Sequence, residues 1–277
     1  RLKKRPALTC IKDFSAILTA TLLCMSIPPY SPWWLITIGV FSSLILAKHI
    51  FGGARQAIFN PVMVGYAVLL ISFPVEMTSW QATIHFFEAP TFLAALKACF
   101  VPDHFDAKTM ATPLDILRHN KGLTTSDLWL SHPQLGKWGG KGLEWISLVY
   151  LVSGLWMLKK GLFTWHAPFS MLLSITLTSV IFYDYGSSAS GGSPIFHLLS
   201  GGTMLGAFFI ITQPESSPRS AVGKIIFGGL IGILIYIIRS REIYPDGIAF
   251  SVLLMNFATP LIDRLTWTNE SNKKGMA

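Results

Sequence analysis

The residues whose types and spacing point most directly to chemistry lie in one polar stretch, Asp106–Asp115. A threonine hydroxyl, such as that of Thr112, is a weak nucleophile at neutral pH. Attaching a phosphoryl group to it therefore requires a separate enzyme and an accessible backbone. Ala111 is small, and Pro113 disfavours the helical conformation at Thr112. The stretch is therefore a candidate site of enzymatic modification at Thr112.

The same residues also predict the start of a helix. Thr112 would be the N-cap, Pro113 the first helical residue and Asp115 the third, an arrangement that is frequent at helix N-termini. Spacing alone favours the N-cap, and modification of Thr112 is the alternative.

The composition is that of a membrane protein. Of the 277 residues, 51% are hydrophobic and 13% are charged, and the mean hydropathy is +0.51. A soluble domain of this length would carry about 25% charged residues. The net charge of +8 does not indicate binding to nucleic acid, because the Lys and Arg residues cluster at the ends of apolar runs. We predict an all-α polytopic protein in which residues 1–277 form a single integral membrane domain.

The cysteines argue against a metal or iron–sulfur centre. Cys10, Cys24 and Cys99 are far apart and show no CxxC or Cys/His ligand spacing. A disulfide is not expected, because Cys24 falls inside a predicted membrane helix. No residue is assigned a catalytic role.

Eight apolar segments are predicted to be membrane helices, if short and broken helices are allowed. They cover residues 14–29, 33–48, 57–74, 145–158, 168–183, 194–212, 223–239 and 246–262. Basic residues before the first segment place that end in the cytoplasm, and alternation then places the C-terminus there too. Arg239 and Arg241 are exceptions, because they fall on the outer side. Residues 75–144, which include Thr112, form an outer loop.

Two segments resemble each other. The corresponding residues are Gly52-Gly53, Ile58-Phe59-Asn60, Gly65 and Pro74 in the first, and Gly191-Gly192, Ile195-Phe196-His197, Gly202 and Pro214 in the second. By the count of membrane helices they cross in opposite directions, which is the pattern of an inverted repeat. Chance resemblance is the alternative, because glycine is frequent in membrane helices.

Ionisable residues near helix ends have either a functional or a structural interpretation. Asp246 is a candidate functional residue, and its alternative role is to cap the last helix. Asp184 and Asp263 are expected to be solvated at helix ends, and His197 is expected to be a packing residue.

Beyond these local patterns, nearly the whole chain resembles one family. The stretches that carry the resemblance are Ser26-Ile27-Pro28-Pro29, Phe51-Gly52-Gly53, Phe59-Asn60-Pro61 with Gly65, Leu69-Leu70-Ile71-Ser72-Phe73-Pro74, Met77-Thr78-Ser79-Trp80, Ala111-Thr112-Pro113-Leu114-Asp115, His197-Leu198-Leu199-Ser200-Gly201, Thr203-Met204-Leu205-Gly206-Ala207-Phe208-Phe209 and Tyr244-Pro245-Asp246-Gly247-Ile248-Ala249-Phe250. In these stretches the chain resembles the family that contains the D subunits of Rnf (Rsx) electron-transport complexes and the B subunits of sodium-translocating NADH:quinone reductases. The chain departs from the family pattern at Met110, where glycine is frequent, and at Gly202, where alanine is.

A shorter string resembles the motif read by periplasmic flavin transferases, which link FMN through its phosphate to the last threonine. The residues that match this motif are Asp106, Thr109, Ala111 and Thr112. The resemblance therefore implies covalent FMN on Thr112, with Asp106, Thr109 and Ala111 as the recognition motif. It is also compatible with a second, noncovalent riboflavin.

The family resemblance implies a urea-transporter-like, inverted-repeat helix bundle. The family has ten membrane helices, so the eight found here imply that two N-terminal ones are absent. Either the sequence is a fragment or the gene is truncated. The chain also begins with Arg1 rather than Met, and we expect that something upstream is missing.

The resemblance further implies a multi-pass subunit of the bacterial inner membrane, with the Thr112 loop in the periplasm. Its complex would be a translocase that couples electron transfer, with NADH and ferredoxin at its ends, to ion translocation. The subunit would not be catalytic alone. The implied partners are the A, B, C, E and G subunits of the Rnf (Rsx) complex, the flavin transferase during maturation, and membrane lipid.

Two other functions remain open. One is a solute channel or transporter, since an inverted-repeat bundle serves that function equally well. The other is a truncated scaffold with no redox role. A flavin on Thr112 discriminates between these functions, because neither a transporter nor a scaffold needs one.

Overall fold

A computed structural model of the chain describes residues 14–50, 57–80, 91–100, 110–120, 122–188, 190–240 and 246–274. Several residues singled out from the sequence lie outside this part. They are the basic residues before the first segment, Cys10, Phe51-Gly52-Gly53, Asp106, Thr109, Arg241 and Tyr244-Pro245.

The described part is helical. Its helices are α1 (Ser15–Ser26), α2 (Trp33–Ser42, continued by a π-helical segment Ser43–Ile50), α3 (Pro61–Ser72), α4 (Pro74–Thr78), α5 (Phe92–Phe100), α6 (Pro113–Arg118), α7 (Thr125–Ser131), α8 (Leu143–Lys159), α9 (His166–Ile181), α10 (Pro194–Leu199), α11 (Thr203–Leu205, continued by a π-helical segment Gly206–Ile210), α12 (Ala221–Ser240) and α13 (Ile248–Lys274). Each of the eight predicted membrane segments is occupied by at least one of these helices, which confirms the expectation of an all-α polytopic membrane protein.

The membrane helices differ in length. Among the residues that the structure describes, three stretches are long and apolar enough to cross a bilayer by themselves: Trp33–Ile50, Ala221–Ser240 and Ile248–Thr266. Three other apolar helices are shorter, namely Ser15–Ser26, Pro61–Ser72 and His166–Ile181. Short helices are tolerated in a membrane bundle only where neighbouring elements satisfy their backbone ends.

One predicted membrane helix is broken. The segment 194–212 forms α10, stops at Ser200, and restarts as α11 after Gly202. Gly201 has a φ of +62°, a conformation that glycine adopts without the strain a side chain would add. The residues Ser200–Gly202 are called the break below.

Helices α9 and α12 pack closely through small residues. A Cβ atom on Gly228 would lie 2.3 Å from the carbonyl oxygen of Ala167, and one on Gly232 would lie 2.1 Å from Oγ of Ser174. Two glycines four residues apart on one helix allow another helix backbone to approach at this distance.

The start of α3 is tied to the second half of the chain. The side-chain oxygen of Asn60 accepts hydrogen bonds from the backbone N–H groups of Val62 and Met63, so Asn60 caps the helix. Its amide nitrogen donates to the carbonyl oxygen of Ile210 and to Oε1 of Gln213, both at 3.0 Å. Asn60 therefore joins two segments that are distant in the sequence.

One pair of residues in the proposed repeat takes different positions in the two segments. Asn60 precedes its helix as the N-cap, whereas His197 lies inside α10. The pairing of these two residues in the sequence comparison is therefore not reproduced in the local structure.

The loop predicted for residues 75–144 contains short helices, of which α6 and α7 pack against the bundle. A small apolar cluster joins them to a membrane helix. Its buried members are Leu114, Ile116, Leu128, Leu135 and Phe196. Because Phe196 belongs to α10, the loop is anchored to the broken membrane segment.

Candidate functional site

Thr112 lies at the N-terminus of α6 and caps it. Its Oγ1 accepts a hydrogen bond from the backbone N–H of Asp115 at 3.2 Å and donates to Oδ2 of Asp115 at 2.6 Å. The backbone N–H of Thr112 donates to the same carboxylate oxygen at 3.2 Å. This reciprocal pattern is a capping box, so the predicted N-cap at Thr112 is confirmed.

The Thr112 side chain is half-buried, and Met110 and Ala111, which precede it, are exposed. The backbone N–H of Met110 donates to the carbonyl oxygen of Trp80 at 3.0 Å, which fixes the approach of this segment to α6. A phosphodiester on Oγ1 would remove the proton that Oγ1 donates to Asp115, so the carboxylate would have to turn away from the ester oxygen, whereas Oγ1 could still accept from the backbone N–H of Asp115.

A second threonine in the same loop has nearly the same geometry. Thr124 caps α7, accepts from the backbone N–H of Asp127 at 3.3 Å, and donates to Oδ2 of Asp127 at 2.7 Å. Thr112 differs from Thr124 in its reciprocal capping box and in being half-buried, whereas Thr124 is exposed. The preceding sequence differs as well, because only Thr112 follows the residues that resemble a flavin transferase motif.

Helix α6 packs directly over two glycines that precede membrane helices, Gly140 before α8 and Gly192 before α10. A Cβ atom on Gly140 would lie 2.5 Å from Cγ of Pro113, and one on Gly192 would lie 2.6 Å from Cδ2 of Leu117. The helix that Thr112 caps is therefore anchored through its buried residues Pro113, Leu114 and Ile116.

Arg239 donates hydrogen bonds to carbonyl groups that the break between α10 and α11 leaves without helical partners. Its Nη1 donates to the carbonyl oxygen of His197 at 3.1 Å, and its Nη2 donates to Oγ1 of Thr203 at 3.1 Å. The Thr203 hydroxyl in turn donates to the carbonyl oxygens of His197 and Ser200. The C-terminus of α10 therefore has the polar partners that a buried helix end requires.

Arg239 also forms an ion pair with Asp246. Its Nη2 lies 2.9 Å from Oδ1 of Asp246, and the Arg239 side chain is only 2% exposed. The other carboxylate oxygen of Asp246 accepts from the backbone N–H of Gly202 at 2.8 Å. Asp246 thus links α12, the segment before α13 and the start of α11.

This pair explains an exception in the predicted topology. Arg239 is predicted to lie on the outer side, and its side chain is buried and paired with Asp246 rather than solvated like a basic topology signal. Sequence reasoning considered Asp246 but missed Arg239 as its partner. The sequence does contain a signal for this ion pair: an arginine ends an apolar run and lies seven residues before an aspartate.

Three groups converge at Gly201. A Cβ atom built on this residue would lie 2.8 Å from each of three atoms: Nη2 of Arg239, Oδ2 of Asp246 and Cδ1 of Leu114. Leu114 belongs to α6, two residues after Thr112. The break in the membrane segment, the ion pair and the helix capped by Thr112 therefore meet at a single residue.

The other weighed residues have structural partners. His197 is buried, its Nε2 lies 2.8 Å from the carbonyl oxygen of Gly191, and its ring packs edge-on to Tyr236, as expected for a packing histidine. Oδ1 of Asp263 accepts from the backbone N–H of Arg219 at 3.0 Å. Asp184 is exposed, in agreement with a solvated position.

Comparison with known proteins identifies one family. A family model described as the NQR2, RnfD, RnfE family matches residues 1–271. Three similar proteins are each named as the D subunit of an ion-translocating oxidoreductase complex. The protein from Cellvibrio japonicus (strain Ueda107) is 49% identical over 272 residues, which cover 96% of this chain and 76% of the relative. The protein from Pseudomonas aeruginosa (strain UCBPP-PA14) is 46% identical over 265 residues, with 96% and 76% covered. The protein from Vibrio atlanticus (strain LGP32) is 45% identical over 280 residues, with 96% and 80% covered.

Proposed function

The chain belongs to the NQR2, RnfD, RnfE family, and from this membership we propose that it is a membrane subunit of an ion-translocating oxidoreductase complex. We further propose that it carries FMN, joined covalently through its phosphate to Oγ1 of Thr112. The names of the relatives support the first part. The second part is supported by the resemblance of the residues before Thr112 to a flavin transferase motif.

The observation that carries the flavin proposal is the transferase-like motif that ends at Thr112, and it is supported by the setting of the Thr112 hydroxyl. Thr112 is half-buried, follows exposed residues, and lies at the first turn of a short helix anchored to the bundle. Asp115 fixes the direction of the hydroxyl through a 2.6 Å hydrogen bond. When bound, FMN would supply one-electron chemistry, and the protein would supply attachment and orientation.

The proposal places the subunit in a bacterial inner membrane with α6 on the periplasmic side. Its partners are the other subunits of the complex (A, B, C, E and G) and, during maturation, a flavin transferase. In this arrangement α6 holds the flavin, as an electron carrier, at the membrane surface. Helix α6 in turn packs against the helix bundle that spans the membrane.

The test is the intact mass and ultraviolet fluorescence of the denatured chain, expressed with its flavin transferase. We expect a mass increase of one FMN in the parent chain and none in Thr112→Ala. Thr124→Ala is the matched control, because it removes an equivalent cap from α7 and should leave the flavin in place.

An unmodified parent chain would contradict the flavin proposal if the transferase modifies a known substrate in the same cells. That result would favour a solute transporter or a scaffold, and Thr112 would then be a helix cap only. Loss of the flavin from both threonine variants would mean that the loop fold, rather than the Thr112 hydroxyl, is what the transferase requires.

A further inference from the structure

Leu114 links the helix capped by Thr112 to the polar interior of the membrane domain. The Leu114 side chain is buried, and its Cδ1 lies at Gly201 together with Nη2 of Arg239 and Oδ2 of Asp246. Glycine is the residue that leaves room for all three groups, since a Cβ atom would be 2.8 Å from each of them.

The position of Gly201 is itself held by the ion pair. Asp246 accepts from the backbone N–H of Gly202, and Arg239 donates to the carbonyl oxygens of His197 and Ser200 on the other side of the break. These bonds are hard to replace, because the Arg239 side chain is only 2% exposed and little water competes for the groups that it binds. The break is therefore fixed, and Leu114 packs against a rigid surface.

We propose that Leu114, Gly201 and the Arg239–Asp246 pair form a seat that positions the Thr112 helix on the membrane domain. Leu114 and Gly201 are positioning residues and need not touch a bound cofactor. The seat fixes the distance and orientation of Thr112 relative to the broken membrane segment. This inference rests on the proposed flavin at Thr112 for its functional meaning, but the seat can be measured without a flavin.

The first experiment measures whether α6 is docked. Ile116 is buried on α6 in the cluster that contains Phe196, so a cysteine at this position reports exposure of the helix. In a chain whose native cysteines are replaced, Ile116→Cys is labelled with a maleimide in the detergent-solubilised complex. We expect slow labelling in the parent and several-fold faster labelling when Gly201→Ala is added.

Gly161→Ala is the matched control. Gly161 also has a positive φ, +72°, but a Cβ atom there would meet nothing within 4 Å. It therefore introduces the same backbone strain without filling the seat. Should Gly201→Ala prevent assembly, Leu114→Ala removes the contact without adding an overlap, and Leu130→Ala, at an 86% exposed leucine on α7, is its control.

The second experiment measures whether the seat positions the flavin. The midpoint potential of the covalently bound flavin is measured in the assembled complex for the same four variants. We expect Gly201→Ala and Leu114→Ala to shift the potential and the two control variants to leave it unchanged, because only the first two alter the orientation of α6.

Each outcome is decisive. Equal labelling rates in Gly201→Ala and Gly161→Ala would overturn the seat. Faster labelling with an unchanged potential would retain the docking contact but overturn its positioning role. Absence of flavin from the parent complex would overturn the proposed function and the positioning role together, while the labelling rates would still decide whether the seat exists.

Discussion

Oγ1 of Thr112 lies 2.6 Å from Oδ2 of Asp115, and the hydroxyl is the donor in this hydrogen bond. A carboxylate so placed both orders the first turn of α6 and is positioned to accept the hydroxyl proton. The cap and the modification site are therefore compatible uses of the same two residues. The alternative that the sequence left open, a cap or a modified threonine, need not be exclusive.

We predict that Asp115→Asn slows attachment of FMN to Thr112 by on the order of tenfold or more, because the amide cannot take up the hydroxyl proton. The time course of ultraviolet fluorescence on the denatured chain measures this rate. Asp127→Asn makes the same change at the cap of α7, where the corresponding distance is 2.7 Å, and should leave the rate unchanged. Equal rates in the two variants would show that Asp115 serves the cap alone.

We predict that neutralising one member of the Arg239–Asp246 pair destabilises the protein strongly. Asp246→Asn leaves a buried guanidinium without its counter-charge, and breaking a buried pair in this way costs about 3–5 kcal/mol. The thermal unfolding midpoint in detergent should fall in Asp246→Asn and in Arg239→Gln.

The double variant Arg239→Gln/Asp246→Asn should recover part of this loss, because no unpaired charge remains. Asp184→Asn is the control for removing a carboxylate: Asp184 is exposed, with a φ of +44° that asparagine also tolerates. A double variant as unstable as the sum of the single ones would mean that the two charges are not coupled.

We predict that Gly232→Ala separates α9 from α12. The added methyl group would lie 2.1 Å from Oγ of Ser174 and 2.5 Å from the carbonyl oxygen of Met171, so the helices must move apart. Overpacking of this kind costs about 1–3 kcal/mol. Gly229→Ala, on the same helix with nothing within 4 Å, should be neutral or slightly stabilising. Thermal unfolding of the two variants compares them directly, and equal midpoints would refute close packing at Gly232.

Local features were predictable from the sequence because their determinants are adjacent in the chain. The cap at Thr112 depends on residues within three positions, Pro113 and Asp115 among them. The membrane helices depend on uninterrupted apolar runs, and all eight predicted runs contain helix. The amino-acid sequence was therefore sufficient to predict both the cap at Thr112 and the membrane helices.

The repeat shows where this reasoning stops. Asn60 and His197 follow the same Ile-Phe pair in two similar segments, but Asn60 caps a helix and His197 lies within one. Similar short runs of glycine and apolar residues can start their helices at different positions, because the start depends on which polar group caps the first turn.

The sequence by itself determined the membrane class, the helical segments, the capped threonine and the family. Only the tertiary structure decided that Arg239 pairs with Asp246, that Asp246 binds Gly202, 44 residues away, and that Leu114 packs at Gly201. The physical reason is that a buried charge or a broken helix must find partners among whatever groups the folded bundle brings close. No local pattern specifies which distant residues those will be.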